Sequence, residues 1–152
     1  MEYINQIIKA SPENLDEASQ LFDLYRQFYK QESDLVNAKK FLTERLKKNE
    51  SVIFLVKDKA SGIYAGFTQL YPAFSSVNMK RIWILNDLFV KSEFRRQGKA
   101  EALIRYAADF AKETGAIGLI LETQSDNKEA QNLYIKIGFK QDSDHYYYFL
   151  SV

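Results

Sequence analysis

Leu15, Ala18, Leu21, Phe22, Tyr25 and Tyr29 recur at the spacing of one helix face, behind a Ser11-Pro12-Glu13 start that places proline in the first turn. After a break at 31–34, Leu35, Ala38, Phe41, Leu42 and Leu46 repeat the pattern, ending at Lys47-Lys48-Asn49, where basic residues suit a helix C-terminus. Residues 52–56 are apolar at every position, which predicts a strand covered on both faces. Residues 58–62 read as a hairpin turn and 63–70 as its return strand, with Gly66 marking a bulge or a close backbone approach. Residues 3–8 predict a first strand, 71–80 a loop and 82–90 another strand.

The helical period returns over 98–114, with Ala100, Leu103, Ile104, Ala107 and Ala111 on one face and Gly115 as the stop. A strand follows at 117–123. A fourth helix begins near Asn127, turns Ala130, Leu133, Tyr134 and Ile137 inward, and ends at Gly138. Two last strands are predicted, one from Phe139 onward and one over 146–150. The order β-α-α-β-β-β-α-β-α-β-β implies an α/β (α+β) fold with a mixed sheet flanked by helices. No repeat or boundary interrupts it, so residues 1–152 read as one domain.

Composition narrows the chemistry. The chain has no cysteine and a single histidine, His145, which excludes thiolate ligands, Cys nucleophiles and a multi-His metal site. A net charge of +1 argues against a general nucleic-acid binder. The start lacks the basic and apolar segments of a secretory signal, and no apolar run approaches the ~20 residues of a membrane span. A cytoplasmic protein is the expectation.

One turn breaks a local rule. Lys91, Arg95, Arg96 and Lys99 crowd the start of the third helix, where the macrodipole favours acids. An anion bound there removes the conflict, because the first helical N–H groups point outward unpaired and Gly98 admits a ligand close to the backbone. A solvated basic turn explains the same residues equally well. A second element, Asn127-x-x-Ala130-x-x-Leu133-Tyr134-x-x-x-Gly138-Phe139, follows one crossover later. Alone it reads as a capped helix with a core tyrosine.

Together the two elements resemble the GNAT superfamily of N-acetyltransferases. Arg95-Arg96-Gln97-Gly98-Lys99-Ala100 is similar to its Arg/Gln-x-x-Gly-x-Gly/Ala motif, and 127–139 is similar to its Asn- and Tyr-bearing helix. The strand before the turn also resembles that of diamine acetyltransferases and of fungal histone and polyamine acetyltransferases. The resemblance implies a mostly antiparallel central sheet and acetyl transfer from acetyl-CoA to an amine by direct attack in a ternary complex, with no metal.

Carried onto this chain, it implies that the amides of Arg96, Gln97, Gly98, Lys99 and Ala100, with Arg95 beside them, hold a pyrophosphate. Backbone groups of Leu88, Phe89 and Val90 would meet the pantetheine arm and the thioester, and Asn127 would touch that arm. Tyr134 would serve the departing thiolate as its acid or as a hydrogen-bond donor that orients the sulfur. With a tyrosine pKa of ~10 and a thiol pKa of ~8.5, full transfer is uphill by roughly 2 kcal/mol. Neutralising a lysine-like amine at pH 7 costs about 4.6 kcal/mol more, so a base or a desolvating pocket is needed. Diamine enzymes place a glutamate where this chain has Asn86; Asp87, Glu122 or a water chain remain for that role, with strand alternation setting Asp87 on the face opposite Asn86.

The acceptor is expected at the corner between the first two helices, near Tyr25, Arg26, Phe28, Tyr29 and Asp34, with Tyr71, Phe74, Ser75 and Trp83 nearby and Asn86 on the strand. Arg26 would clamp a carboxylate, whereas Asp34 would attract a cation, so amino-acid-like and polyamine-like small amines both stand. A protein lysine or N-terminal amine, and a non-catalytic CoA sensor, are the alternatives. The run Tyr146-Tyr147-Tyr148 reads as an edge strand that could pair with a second subunit, making a homodimer.

Overall fold

The helical and extended patterns resolve into one sheet with helices on both faces. The computed structural model describes residues 7–152. A first unit, ending at Glu122, holds β1 (Ile7–Lys9), α1 (Leu15–Phe28), α2 (Leu35–Lys47), β2 (Val52–Lys57), β3 (Tyr64–Ser75), β4 (Lys80–Val90), α3 (Lys99–Glu113) and β5 (Leu119–Ile120). The strands lie in the order β1-β2-β3-β4-β5, antiparallel except for the parallel β4–β5 pair. A second unit, Thr123–Val152, holds α4 (Lys128–Ile137). No described helix is long and apolar enough to cross a membrane.

β2 shows why its sequence is apolar throughout. Ile53 and Leu55 pack with Ala18, Leu21 and Phe22 of α1 and with Ala38 and Leu42 of α2. Phe54, on the other face, meets the rings of Tyr106 and Phe110 of α3 at 5.0 and 5.3 Å. Alternate side chains thus fill two separate layers of core. Asp34 caps α2 by accepting the Asn37 N–H at 3.1 Å.

Three expectations change. Of the first predicted strand, residues 7 and 8 form, within β1, and residues 3–6 lie outside the described residues. The loop expected at 71–80 is instead the far end of a long hairpin, with Ser75 opposite Lys80. Pro72 argues against a central strand, but β2 pairs only as far as Leu70, so β3 is an edge at Pro72 and tolerates it. The strand expected over 117–123 shortens to Leu119–Ile120. The two C-terminal strands do not form among the described residues: a strand exists by pairing, and Tyr146–Leu150 has no ladder, each of its residues being at least 84% exposed.

Candidate active site

β4 loses its partner on one side partway along. Its pairing with β5 covers Trp83 and Ile84 only, so 85–90 is a free backbone edge on that side among the described residues. On the other side β3 continues to Val90, where Gly66 sits opposite. A Cβ at Gly66 would lie 2.5 Å from the Phe89 carbonyl oxygen, so only glycine lets β3 approach this closely. Both features expected at Gly66 are met: it approaches β4 closely, and the register shift against β2 between Val56 and Lys57 leaves Ala65 as the extra residue beside it.

A bulge shapes the middle of β4. Gln69 opposes Asp87 and Leu70 opposes Leu85, leaving Asn86 as the extra residue. This corrects the expectation that alternation separates Asn86 from Asp87: the bulge brings Asn86 Nδ2 to Asp87 Oδ1 at 2.9 Å. Asn86 is exposed, whereas Asp87 is 2% exposed. The second carboxylate oxygen of Asp87 accepts from Nε2 of Gln69, itself fully buried. Gln69 Oε1 has no hydrogen-bond partner among the described residues.

Asp87 is surrounded by neutral groups. Burial raises its pKa above the ordinary carboxylate value, against hydrogen bonds from Gln69, Asn86 and Tyr25 that pull it down. The Tyr25 hydroxyl reaches the Asn86 carbonyl at 3.5 Å, and burial, then the charge of Asp87, raises its pKa far above the usual tyrosine value. Tyr71 is pushed up to about 12, by burial and then by Asp87. Gln69 was not singled out from sequence, and Tyr71 was placed only near the acceptor and not beside Asp87, because these contacts depend on register across the hairpin.

The α1 end supplies an aromatic wall. Tyr25 stacks edge-on with Tyr29 at 4.9 Å, Tyr29 with Phe28 at 5.4 Å, and Phe28 lies 6.3 Å from Phe89 of β4. Tyr29 and Phe28 remain 43% and 56% exposed. Arg95 folds back onto this wall: its guanidinium lies over Phe28 and Phe89 and Nε donates to the Val90 carbonyl at 2.8 Å. Arg26 donates to the Glu32 carbonyl at 3.3 Å, tying α1 to the segment before α2. Leu88 and Phe89 are half-buried and Val90 is buried. Of the other acceptor-side candidates, Trp83 is buried against Phe110 and donates to Thr114 Oγ1 at 2.9 Å, and Phe74 is exposed near the hairpin tip.

The turn into α3 is where an anion is expected from the sequence. Arg96 and Gly98 adopt left-handed conformations, with φ of 59° and 75°, and no side chain caps α3. Left-handed residues alternating with ordinary ones turn successive N–H groups toward one point. Arg96, Gln97 and Gly98 are exposed and Ala100 is half-buried. Lys99 differs. It is 7% exposed, and its ammonium meets Asp58 Oδ1 at 3.1 Å and Gln97 Oε1 at 3.0 Å. Its side-chain charge is spent inside the protein, so the local excess of positive charge is smaller than the sequence implies.

In the second unit, Asn127 caps α4 by accepting the Ala130 N–H at 3.2 Å. Tyr134 is half-buried, its ring 5.8 Å from that of Phe139. Glu122, the other acid considered as a base, is exposed at the end of the first unit.

The chain matches the model of the acetyltransferase (GNAT) family over residues 17–139. It is 47% identical over 132 residues to YhfO, an uncharacterized N-acetyltransferase of Bacillus subtilis (strain 168), covering 87% of each chain. It is 34% identical over 138 residues to a probable acetyltransferase of Haemophilus influenzae, covering 89% of this chain and 90% of that one. Among solved structures, a probable acetyltransferase superimposes with a TM-score of 0.90 at 42% identity, covering 96% of this chain and 97% of the other.

Proposed function

Since this chain belongs to the acetyltransferase (GNAT) family and is an N-acetyltransferase that uses acetyl-CoA, we propose that it acetylates the primary amine of a small cationic molecule. One observation carries the choice of acceptor: Asp87 is a buried carboxylate whose hydrogen-bond partners, Gln69, Asn86 and Tyr25, are all neutral. A buried anion without a counter-ion is costly and stabilises a cation brought beside it. An ammonium that arrives next to Asn86 supplies that charge. The exposed rings of Phe28 and Tyr29 give its carbon skeleton an apolar wall.

The same reading gives the chain's residues their tasks. The amides of Arg96, Gln97, Gly98, Lys99 and Ala100 hold the diphosphate of acetyl-CoA, whose thioester is the activated acyl donor. Lys99 contributes its N–H while its ammonium stays on Asp58. Leu88, Phe89 and Val90 offer the free β4 edge to the pantetheine arm. Asp87 takes the amine proton by way of Tyr25, whose hydroxyl passes its own proton to the carboxylate as it accepts one from the attacking nitrogen, while Asn86 holds the carboxylate in place. For Asn127 and Tyr134 the assignment rests on their motif: Asn127 contacts the pantetheine arm and Tyr134 orients or protonates the leaving thiolate.

The test is release of free CoA thiol from acetyl-CoA across a panel of diamines, polyamines, amino acids and lysine peptides. Small diamines and polyamines should turn over with the highest kcat/KM. Faster turnover of lysine peptides or protein N-termini would overturn the acceptor class. CoA binding without turnover of any amine would overturn the catalytic reading.

A further inference from the structure

At the end of the sheet away from the β4 bulge, a cavity of about 1000 Å³ opens between the C-terminal ends of α2 and α3 and the starts of β2 and β4. None of the tasks above uses it. Trp83, at its wall, precedes Leu88 by five residues on β4, roughly 16 Å at ~3.3 Å per residue. The cavity's volume lies within the range of small-molecule sites.

Its lining has a consistent chemistry. Leu15, Trp83 and Phe110 form apolar walls, and Lys9, Lys47 and Arg81 are the charged groups, with no acid among the described lining residues. Lys47 lies in the last turn of α2, where a cation complements the helix dipole. Lys9 and Arg81 are strand residues and have no such explanation. Instead they lie over the apolar walls, Lys9 at 5.5 Å from the Phe110 ring and Arg81 at 5.1 Å from the Trp83 ring. A further signal is polar. Ser51 is one of the lining residues, it is 6% exposed, and its buried hydroxyl oxygen has no hydrogen-bond partner among the described residues. The other hydroxyls of the lining are satisfied: Ser11 on Asn14, Thr43 on the Lys39 carbonyl and Thr114 on the Ala111 carbonyl.

We infer that this cavity is a second binding site, for a small monocarboxylate with an alkyl chain. The chain occupies the space between Leu15, Trp83 and Phe110. The carboxylate is held by Arg81 and Lys47 and accepts from Ser51. A cationic amine of the kind proposed as acceptor is repelled by the same residues, so the two sites select opposite charges.

Trp83 is the protein's single tryptophan, which makes occupancy visible by its fluorescence. The experiment titrates the full chain, first without and then with saturating CoA, with octanoate, octylammonium and octanol. Octanoate should give a saturable change in Trp83 emission, at least tenfold tighter than either of the other two. Lys47→Gln, which leaves the tryptophan's own neighbours intact, and Ser51→Ala should each weaken octanoate by about threefold or more. Absence of a saturable change overturns the inference. So does equal binding of octylammonium, loss of the signal when CoA is added, or parent-like titration of both variants. Because the readout is independent of acetyl transfer, failure here leaves the acceptor assignment untouched, and the reverse also holds.

Discussion

The side-chain amide of Asn86 donates to the carboxylate of Asp87 at 2.9 Å, although the two residues are neighbours on one strand. In a regular strand they would face opposite ways. The bulge that joins them gives an exposed amide a buried anchor. With Nδ2 spent on Asp87, Asn86 is held so that its side-chain oxygen, Oδ1, can accept from an incoming amine N–H.

Asn86→Ala removes both that acceptor and one of the hydrogen bonds that lower the Asp87 pKa. The kcat/KM for the amine should fall about tenfold, the scale of one lost charge-assisted hydrogen bond. The KM for acetyl-CoA should hold. The acid limb of the pH–rate profile should move to higher pH, because Asp87 then ionises less readily. A profile that drops uniformly without moving would separate Asn86 from Asp87.

Asp87→Asn tests the buried charge through stability. A carboxyl whose folded pKa is raised stabilises the fold below its ordinary value of 3.8, and that contribution is lost as pH rises through the folded pKa. The variant has no such loss. Gln69 has an unpartnered Oε1 and can reverse its amide to accept the new N–H. The Tm of the variant relative to the parent should therefore rise between pH 4 and pH 7, while kcat/KM at pH 7 falls by at least tenfold. Thermal melts at several pH values, beside rates at pH 7, check both halves.

Tyr134→Phe keeps the ring that packs on Phe139 and deletes only the hydroxyl. If that hydroxyl serves the leaving thiolate, kcat falls about tenfold to a hundredfold and the KM for acetyl-CoA changes little, since the loss lies in the transition state. Replacing acetyl-CoA with a donor whose leaving thiol is more acidic should recover much of the loss. A variant with parental kcat would remove Tyr134 from the reaction.

How much of this was legible in the sequence differs by residue. The unbroken apolar run of β2 announced cover on both faces, and Gly98 announced the turn that opens α3, because both signals are local. Asn86 and Asp87 were misjudged because a bulge is set by the partner strand, and nothing between residues 82 and 90 encodes it. Residues 71–80 read as a loop, and the extension of β3 through Pro72 depends on where β2 stops, which those residues do not encode. Lys99 read as a free cation because its counter-ion, Asp58, lies in a distant turn.

Gly66→Ala should act on two properties together. The added methyl meets the Phe89 carbonyl at 2.5 Å and Val90 Cγ2 at 3.0 Å, both on β4, and backbone cannot swing aside as a side-chain end does. Overpacking of this kind costs about 1–3 kcal/mol. The displaced segment, 89–90, is the one proposed to meet the pantetheine arm. Urea melts should show the lost stability, and the KM for acetyl-CoA should rise several-fold while the KM for the amine changes less.

Arg96 and Lys99 should respond in opposite ways, which separates charge offered to the ligand from charge used by the fold. Arg96 is exposed and sits at a φ of 59°, a conformation that costs a non-glycine residue roughly 1–2 kcal/mol. Arg96→Gly relieves that strain and deletes an outward charge. Its Tm should hold or rise while the KM for acetyl-CoA increases, and the increase should shrink at high salt as screening removes what the parent had gained. Lys99→Met keeps the backbone N–H and the buried length of the side chain but leaves Asp58 without its cation. Hydrogen bonds from Ser61, with Lys99 beside them, hold the Asp58 carboxyl below its ordinary pKa, so the stability it contributes is present at neutral pH and is lost on acidification. The Lys99 variant should therefore melt a few degrees lower at pH 7, with the gap closing toward pH 3, and its KM for acetyl-CoA should stay within about twofold of the parent. If Lys99→Met instead raised that KM as much as Arg96→Gly, the ammonium on Asp58 would have to leave its partner for the ligand, and the cradle would be built from side chains instead of amides.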